Sequence, residues 1–291
     1  MVNSLYGRED LMTITIRGVS FQENTNNEMG LEFYDLSHRW GYQIPNWPYF
    51  EDVKIERLHY MAKSGVLTQR FTTTMHSSTH IDAPAHVVQG TPFINEVPLP
   101  HFFGSGLVVP VPKKKWEQIT GDDLEKACGR AIRPNDVLII NTGYHKFYED
   151  RDEYYAYAPG LVPSAADWMV ERKIKVVGHD TQANDHPLAT AIGPQRNGPI
   201  LPHLAAEYKE WSGGRDWKED FPEWEPVHRK LFKNGILGIE NVGGEIEKVT
   251  GRRCTFALFP WNWDRGDGSV IRLVAIVDPR GKYRIETGER F

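Results

Sequence analysis

The chain has 291 residues, of which 40% are hydrophobic and 25% are charged. This length and balance are typical of a folded globular protein and exclude a largely disordered chain. The 34 Lys and Arg residues stand against 39 Asp and Glu residues, for a formal net charge of −5, so no basic excess points to nucleic acid as a partner.

The sequence predicts a single domain over residues 1–291, because no linker, charge block or internal repeat divides it. Cys128 and Cys254 have no neighbour at metal or redox spacing, which excludes a disulfide scaffold and favours a reducing compartment. No segment reaches the roughly 18 apolar residues of a membrane span, and the first residues lack a signal-peptide pattern. We therefore expect a cytoplasmic protein with no membrane partner.

Short β-rich segments recur along the chain, and three helices have recognisable start signals. The predicted strands are residues 12–16, 31–36, 68–75, 106–111, 136–141, 173–178, 254–259 and 270–277. The predicted helices are residues 120–131, 164–172 and 226–234. Thr120 and Asp123 form a capping box at the first helix, and Gly235 ends the third.

Strands and helices do not alternate regularly, which favours a mixed α/β fold with a mixed sheet or barrel-like β core and peripheral helices. The sequence lacks the dinucleotide-binding, P-loop and nucleophile-elbow motifs, which argues against those enzyme classes. Residues 193–224 are rich in Pro, Gly, Trp and charge without periodicity, so we predict an irregular insertion with one short helix.

The segment 76–86, His-Ser-Ser-Thr-His-Ile-Asp-Ala-Pro-Ala-His, holds the densest group of candidate ligands. His76, His80 and His86 supply imidazole nitrogens, and Asp82 supplies a carboxylate. These ligand types without thiolates suit a divalent ion such as Zn²⁺ or Mn²⁺. A lone histidine is usually a surface or satisfied core residue, but the cluster together predicts a metal site.

The chain has to bend within this segment, because ten extended residues would separate His76 from His86 by about 33 Å. Ser77 and Ser78 are the predicted bend, and Pro84 opposes both a continuing helix and a central strand. A helix fails on phase, since Asp82 would lie about 200° from His80. The pattern therefore predicts a loop that cradles the ion.

The segment resembles the His-x-Gly-Thr-His-x-Asp-x-Pro-x-His signature of the metal-dependent cyclase family of hydrolases, which includes bacterial kynurenine formamidase, isatin hydrolase and cyclic imide hydrolases. Ser78 stands where the family has glycine; if that position requires positive φ, serine adopts it at a modest cost. Weaker matches lie at residues 35–38, 178–181 and 266–272.

The resemblance implies a swivelling β/β/α fold, a homodimer or homotetramer, and one or two divalent ions, with zinc as the first choice and manganese as the alternative. It implies that five side chains hold the metal: His76, His80, Asp82, His228 and Glu240. It also implies that His86 is the catalytic acid/base. Without the resemblance, His228 and Glu240 read as structural residues of a helix and a strand end.

The expected reaction is ring opening of a small cyclic amide or imide at a C–N bond, with hydrolysis of N-formylkynurenine as the alternative. An N-terminal extension of about residues 1–30 and the insertion at 193–224 make the chain resemble cyclic imide hydrolases in length. Trp40 and Phe103 are the predicted walls of a flat substrate pocket. Two alternatives stay open: a non-catalytic metal-binding or small-molecule-binding protein, and a structural zinc site whose removal unfolds the chain.

Overall fold

A nine-stranded sheet organises the chain in the computed structural model, which describes residues 12–23, 29–196 and 198–291. The strands are β1 Met12–Ile16, β2 Val19–Glu23, β3 Glu32–Asp35, β4 Lys54–His59, β5 Thr68–Thr72, β6 His80–Asp82, β7 Phe103–Pro110, β8 Gln118–Ile119, β9 Val137–Asn141, β10 Gly160–Leu161, β11 Val176–His179, β12 Leu237–Glu240, β13 Arg252–Ala257, β14 Gly268–Val270 and β15 Val274–Val277. The helices are α1 Met61–Ser64, α2 Gly121–Cys128, α3 Asp152–Tyr155, α4 Pro163–Glu171, α5 Leu204–Trp211, α6 Trp217–Asp220, α7 Pro226–Lys233 and α8 Ile246–Val249.

The large sheet has the strand order β14-β6-β12-β11-β9-β7-β13-β15-β3. Its four middle strands, β12, β11, β9 and β7, run parallel. Antiparallel strands extend the sheet on both sides. This confirms the predicted mixed α/β fold with a mixed sheet.

The sheet has to curl, because β14 and β15 are consecutive in the chain but seven strand positions apart. Seven spacings in a flat sheet would separate them by about 34 Å. Residues 271–273 join them, and four Cα steps span at most about 14 Å. The predicted strand at 270–277 is therefore two strands near opposite ends of a curled sheet, which closes further where Ser37 bridges to Val242.

Both faces of the sheet are buried, and β9 shows this most clearly. Val137 and Ile139 belong to a core inside the sheet with residues such as Phe256. Leu138 and Ile140 alternate with them and pack in a second core beneath α2, α4 and α7. This alternation follows from the period of two along a strand.

The predicted helices are confirmed with small shifts at their ends. In α2, the Thr120 hydroxyl accepts from the Asp123 N–H, and the Asp123 carboxylate accepts from the Thr120 N–H, as a capping box requires. The predicted strand at 68–75 ends at Thr72 and pairs with β4 in a separate hairpin. Among the described residues, no helix combines the length and the apolar composition needed to cross a membrane.

The predicted insertion at 193–224 contains two helices instead of one. Leu204 and Tyr208 of α5 are buried against Phe221, and Asp216 starts α6 by accepting from the Lys218 N–H at 2.9 Å. The surrounding Pro and Gly residues interrupt helical periodicity, so the sequence pattern does not predict both helices. The predicted N-terminal extension, residues 1–30, lies partly outside the described residues.

Candidate metal centre

The histidine-rich segment passes from a tight bend into a strand and then into a 3-10 turn. Ser78 has φ 56°, so serine occupies the positive-φ position at which the resemblance places glycine. β6 then pairs with β12 on one side and β14 on the other. The predicted loop cradle is therefore wrong for the middle of the segment: Pro84 lies beyond the end of β6, where its missing N–H costs no strand pairing.

The strand β6 presents two of the predicted ligands on one face, because alternate residues of a strand point the same way. The His80 Nδ1–H donates to the Ser78 carbonyl at 2.8 Å, which leaves Nε2 3.3 Å from Asp82 Oδ1. His76 Nδ1 lies 2.7 Å from the same oxygen. The three side chains therefore converge, with candidate ligand atoms within 4.8 Å of one another.

A second group of candidate ligands lies where His228 of α7 and Glu240 of β12 approach Asp82. Glu240 ends β12 directly opposite His80 in the strand register. His228 on α7 points Nε2 to 3.0 Å from Glu240 Oε1 and 3.6 Å from Asp82 Oδ2. Asp82 thus belongs to both groups, in the position that a carboxylate shared by two ions would take.

Two buried polar atoms at the centre, His80 Nε2 and Asp82 Oδ2, have no hydrogen-bond partner among the described residues. Burying an imidazole nitrogen and a carboxylate oxygen without a partner costs free energy unless an ion or ligand satisfies them. Nitrogen and oxygen ligands without thiolates suit a divalent ion of the zinc or manganese type. The side chains present therefore fit a divalent metal ion.

The charges of the cluster hold its carboxylates in the ionised form that a metal requires. Burial by itself raises the pKa of Asp82, but the imidazoles of His76 and His80 outweigh burial and lower it. Burial by itself lowers the pKa of His76, whereas Asp82 and Asp267 outweigh it and raise the pKa to about 10. Opposite charges close to a buried group dominate its protonation here.

His86 lies beside this cluster, at the end of the 3-10 turn that follows β6. Its ring stacks on the His76 ring at a centroid distance of 3.9 Å and lies 6.5 Å from the His228 ring. Burial, followed by the neighbouring His76, lowers the pKa of His86 to about 4. His86 also lies close enough to His76 and Asp267 for these three to form a further group of candidate ligands.

Three residues that hydrogen-bond to the candidate ligands were not predicted from the sequence. Asp185 Oδ2 accepts from His228 Nδ1 at 2.6 Å. The Asn184 N–H and side-chain amide donate to Glu240 Oε1 at 2.8 and 3.0 Å. Asp267, inside the weak motif at 266–272, lies 3.0 Å from His76 Nε2. Such hydrogen bonds orient metal ligands, but no sequence spacing predicts these contacts.

A cavity of about 60 Å³ opens onto the cluster. Its floor consists of ligand side chains and His86, and its wall includes Pro45, Trp47, Tyr49 and Phe50. A water-sized group occupies about 10–15 Å³ of such volume. The cavity therefore has room for several such groups next to the ligand side chains.

The structure brings together the five predicted ligands and His86, but it places Trp40 and Phe103 elsewhere. Trp40 Nε1 donates to Ser77 Oγ at 3.1 Å, so this ring packs behind the serine bend. Phe103 begins β7 and lies exposed, 6.3 Å from the Phe259 ring. Within the described part of the chain, neither lines the cavity, and Trp47 supplies an indole there instead.

Comparison with known proteins connects this geometry to one family. The profile of the family described as "Putative cyclase" matches residues 34–186. An uncharacterised protein of Methanocaldococcus jannaschii is 28% identical over 85% of the chain and 100% of its own length. Kynurenine formamidase of Bacillus thuringiensis is 24% identical over 84% of the chain and 96% of its own length. Isatin hydrolase A of Ralstonia solanacearum shares the fold, with a TM-score of 0.66 at 18% identity over 85% of this chain and 92% of that one.

Proposed function

The chain belongs to the putative-cyclase family, and from that premise we propose that it is a metal-dependent hydrolase that opens a small cyclic amide or imide at a C–N bond. The observation that carries the proposal is the pair of ligand groups that share Asp82. The other four ligands line the cavity. The unpartnered atoms His80 Nε2 and Asp82 Oδ2 support it, because their burial costs free energy that a bound ion would offset.

The ligands would be His76, His80 and Asp82 for one divalent ion, and Asp82, His228 and Glu240 for a second. Zinc is the first choice and manganese the alternative. When bound, such an ion supplies Lewis acidity and an activated water for attack on a carbonyl carbon.

His86 is the proposed acid/base of the reaction. Its imidazole lies next to the ligands and on the cavity surface, and an imidazole can take a proton and return it. It would accept the proton that attack releases and pass it to the nitrogen that leaves the ring. The aromatic wall of Trp47, Tyr49 and Phe50 would hold a flat ring and keep bulk water away.

Ring opening is placed first because the chain resembles cyclic imide hydrolases in length and because aromatic rings line the cavity, which suits a flat ring. The second candidate is hydrolysis of N-formylkynurenine at the same centre. It is favoured by the relative named kynurenine formamidase, which aligns over 84% of the chain.

The direct test combines metal content with a substrate screen. We expect protein purified without added metal to contain stoichiometric zinc or manganese by plasma mass spectrometry. It should hydrolyse cyclic imides or isatin faster than N-formylkynurenine, lose activity on chelation and regain it with the metal. Faster hydrolysis of N-formylkynurenine would select the second candidate. Protein that takes up neither metal and stays inactive would refute the metal centre.

His86→Ala separates an enzyme from a metal-binding protein. We expect the variant to retain its metal while its kcat falls by about 10²–10⁴-fold, the usual contribution of a general acid/base. His203→Ala, at a half-exposed position outside the cavity, is the matched control and should keep full activity. A variant as active as the control would remove His86 from the mechanism, and loss of metal from it would make His86 a ligand.

A further inference from the structure

Two polar side chains in the cavity wall, Gln182 and Glu225, have no part in the chemistry described above. Both line the same cavity as the ligands and His86. Gln182 is 5% exposed, and its Oε1 is buried without a hydrogen-bond partner among the described residues. Glu225 Oε2 is buried in the same way. Two residues that line the cavity therefore each hold a buried acceptor without a partner, which a bound ligand would satisfy.

The backbone at Glu225 is held in a conformation that side chains disfavour. Glu225 precedes α7 with φ 43° and ψ 52°, in the left-handed region where a residue with a Cβ is strained. The Glu225 N–H donates to the Ala189 carbonyl at 2.8 Å, which fixes the conformation from outside the helix. Strained residues of this kind concentrate at functional sites.

The surroundings of Glu225 do not compensate for the burial of its carboxylate. Burial outweighs the His228 imidazole, which by itself lowers the pKa of Glu225. Burial raises the pKa of Glu225 to about 7, which is the sign of a buried carboxyl group without a compensating donor. A ligand that brings an N–H donor would supply what the protein does not.

We infer that Gln182 and Glu225 determine substrate specificity by accepting hydrogen bonds from an N–H group remote from the bond that is cleaved. This inference rests on the proposed function and narrows it. The substrate class is then a small ring amide with a second N–H nitrogen, such as a cyclic ureide, in preference to an imide with carbon at that position. A site built to bind an N–H group rejects the analogue without it, because its own acceptors stay unpaired.

Hydantoin and succinimide test this inference as a matched pair. They differ by one N–H of hydantoin that is a CH₂ in succinimide. In Gln182→Met and Glu225→Met, the ratio of kcat/KM for hydantoin to that for succinimide should fall about tenfold from the wild-type ratio, as expected for one lost hydrogen bond. Gln118→Met and Glu223→Met, at exposed positions outside the cavity, should keep the wild-type ratio. An unchanged ratio in both cavity variants would overturn the inference.

The melting temperature of Glu225→Gly distinguishes a specificity role of Glu225 from a structural role, because the two roles predict opposite changes in Tm. Glu225→Gly removes the backbone strain and the unpartnered carboxylate, so Tm should stay the same or rise by about 2–4 °C while the ratio falls. A fall in Tm with an unchanged ratio would make Glu225 a structural residue and overturn its assignment.

Failure of the proposed function would look different. If the metal-loaded wild type hydrolyses neither of these two rings nor isatin, the proposed reaction is wrong. Calorimetric titration with the same two rings then tests Gln182 and Glu225 alone. Hydantoin binding that is about tenfold weaker in the cavity variants, with succinimide binding unchanged, would support the inference. Equal hydantoin binding by the wild type and the variants would overturn it.

Discussion

Asp180 is a fully buried carboxylate that five hydrogen bonds surround. Oδ1 accepts from the N–H and hydroxyl of Thr142 at 3.0 and 2.6 Å. Oδ2 accepts from the N–H of Gly143 at 2.9 Å and from the N–H and Nδ1 of His145, each at 3.1 Å. Burial by itself raises the pKa of Asp180, but the donors of His145 and Thr142 outweigh it and lower the pKa below 3.8. Asp180 therefore fixes the loop after β9 from the end of β11.

Replacing this carboxylate tests its contribution. Asp180→Asn turns an NH₂ group toward backbone donors, so we expect a loss of about 3 kcal/mol in the free energy of unfolding at pH 7, measured by urea denaturation. Because the folded-state pKa is lowered, the stabilisation is complete above pH 3.8 and disappears as the pH falls through the lower folded value. The difference between wild type and variant should therefore shrink below pH 3.8.

Asp167→Asn is the control for this measurement. Asp167 is exposed and pairs with Lys230 at the surface, so its replacement should change stability by less than about 0.5 kcal/mol. A pH-independent difference between wild type and Asp180→Asn would contradict the role of the charge.

At the scale of single residues, sequence spacing identified ligands but not the groups that orient them. His76, His80 and Asp82 stand within seven residues and form one recognisable pattern. Asp185 and His228 are 43 positions apart and meet because the first turn of α7 contacts the segment that follows β11. A contact over such a distance leaves no periodicity in the sequence, so Asp185 could not be predicted from it.

Asp185 positions both the first turn of α7 and the side chain of its ligand, His228. The carboxylate accepts from the N–H groups of Val227 and His228, each at 2.9 Å, and from the His228 ring. One side chain therefore satisfies free N–H groups of the first turn and sets the direction of Nε2. The position of the second ligand group follows from this contact.

Asp185→Asn should weaken metal binding by about 10–100-fold, the usual cost of losing a residue that orients a ligand. Competition titration with a chromophoric chelator measures the affinity without relying on turnover. The control is Asp167→Asn, on a helix that packs against α7, and its affinity should equal that of the wild type. Wild-type affinity in Asp185→Asn would show that the His228 ring is fixed by packing alone.

At the scale of elements, the positions of strands were easier to predict than the strands with which they pair in the sheet. The segment at 136–141 is confirmed as β9, because a continuous apolar run is typical of a strand buried on both faces. The segment predicted at 173–178 is β11, which begins three residues later at Val176 and pairs with β9, a partner that the sequence did not predict. The short strand β6 was missed, since three residues between a bend and Pro84 show no alternation. The split of 270–277 was missed because curling of the sheet is a tertiary property that no local pattern records.

The whole molecule carries a hairpin that projects from the sheet and exposes apolar side chains. This arm consists of β4, α1 and β5, residues 54–72, and contacts outside it include those of the Phe71 ring with Trp40 and Trp261. Leu58, Met61, Val66 and Leu67 are all exposed on it. Exposed apolar side chains grouped on one arm favour an interaction site, and we propose a second copy of the chain as the partner.

We therefore expect the protein to form a homodimer or homotetramer through this arm. Met61→Glu combined with Leu67→Glu places charges on the apolar surface, and should convert the oligomer to monomer in light scattering coupled to size exclusion at micromolar concentration. Leu99→Glu, at a leucine outside the arm that is 68% exposed, should leave the mass unchanged. A wild type that is monomeric, or an oligomer that survives the double substitution, would refute the arm as the interface. Because Trp40 lies between the arm and the serine bend that precedes β6, dissociation should also reduce kcat more than it reduces metal content.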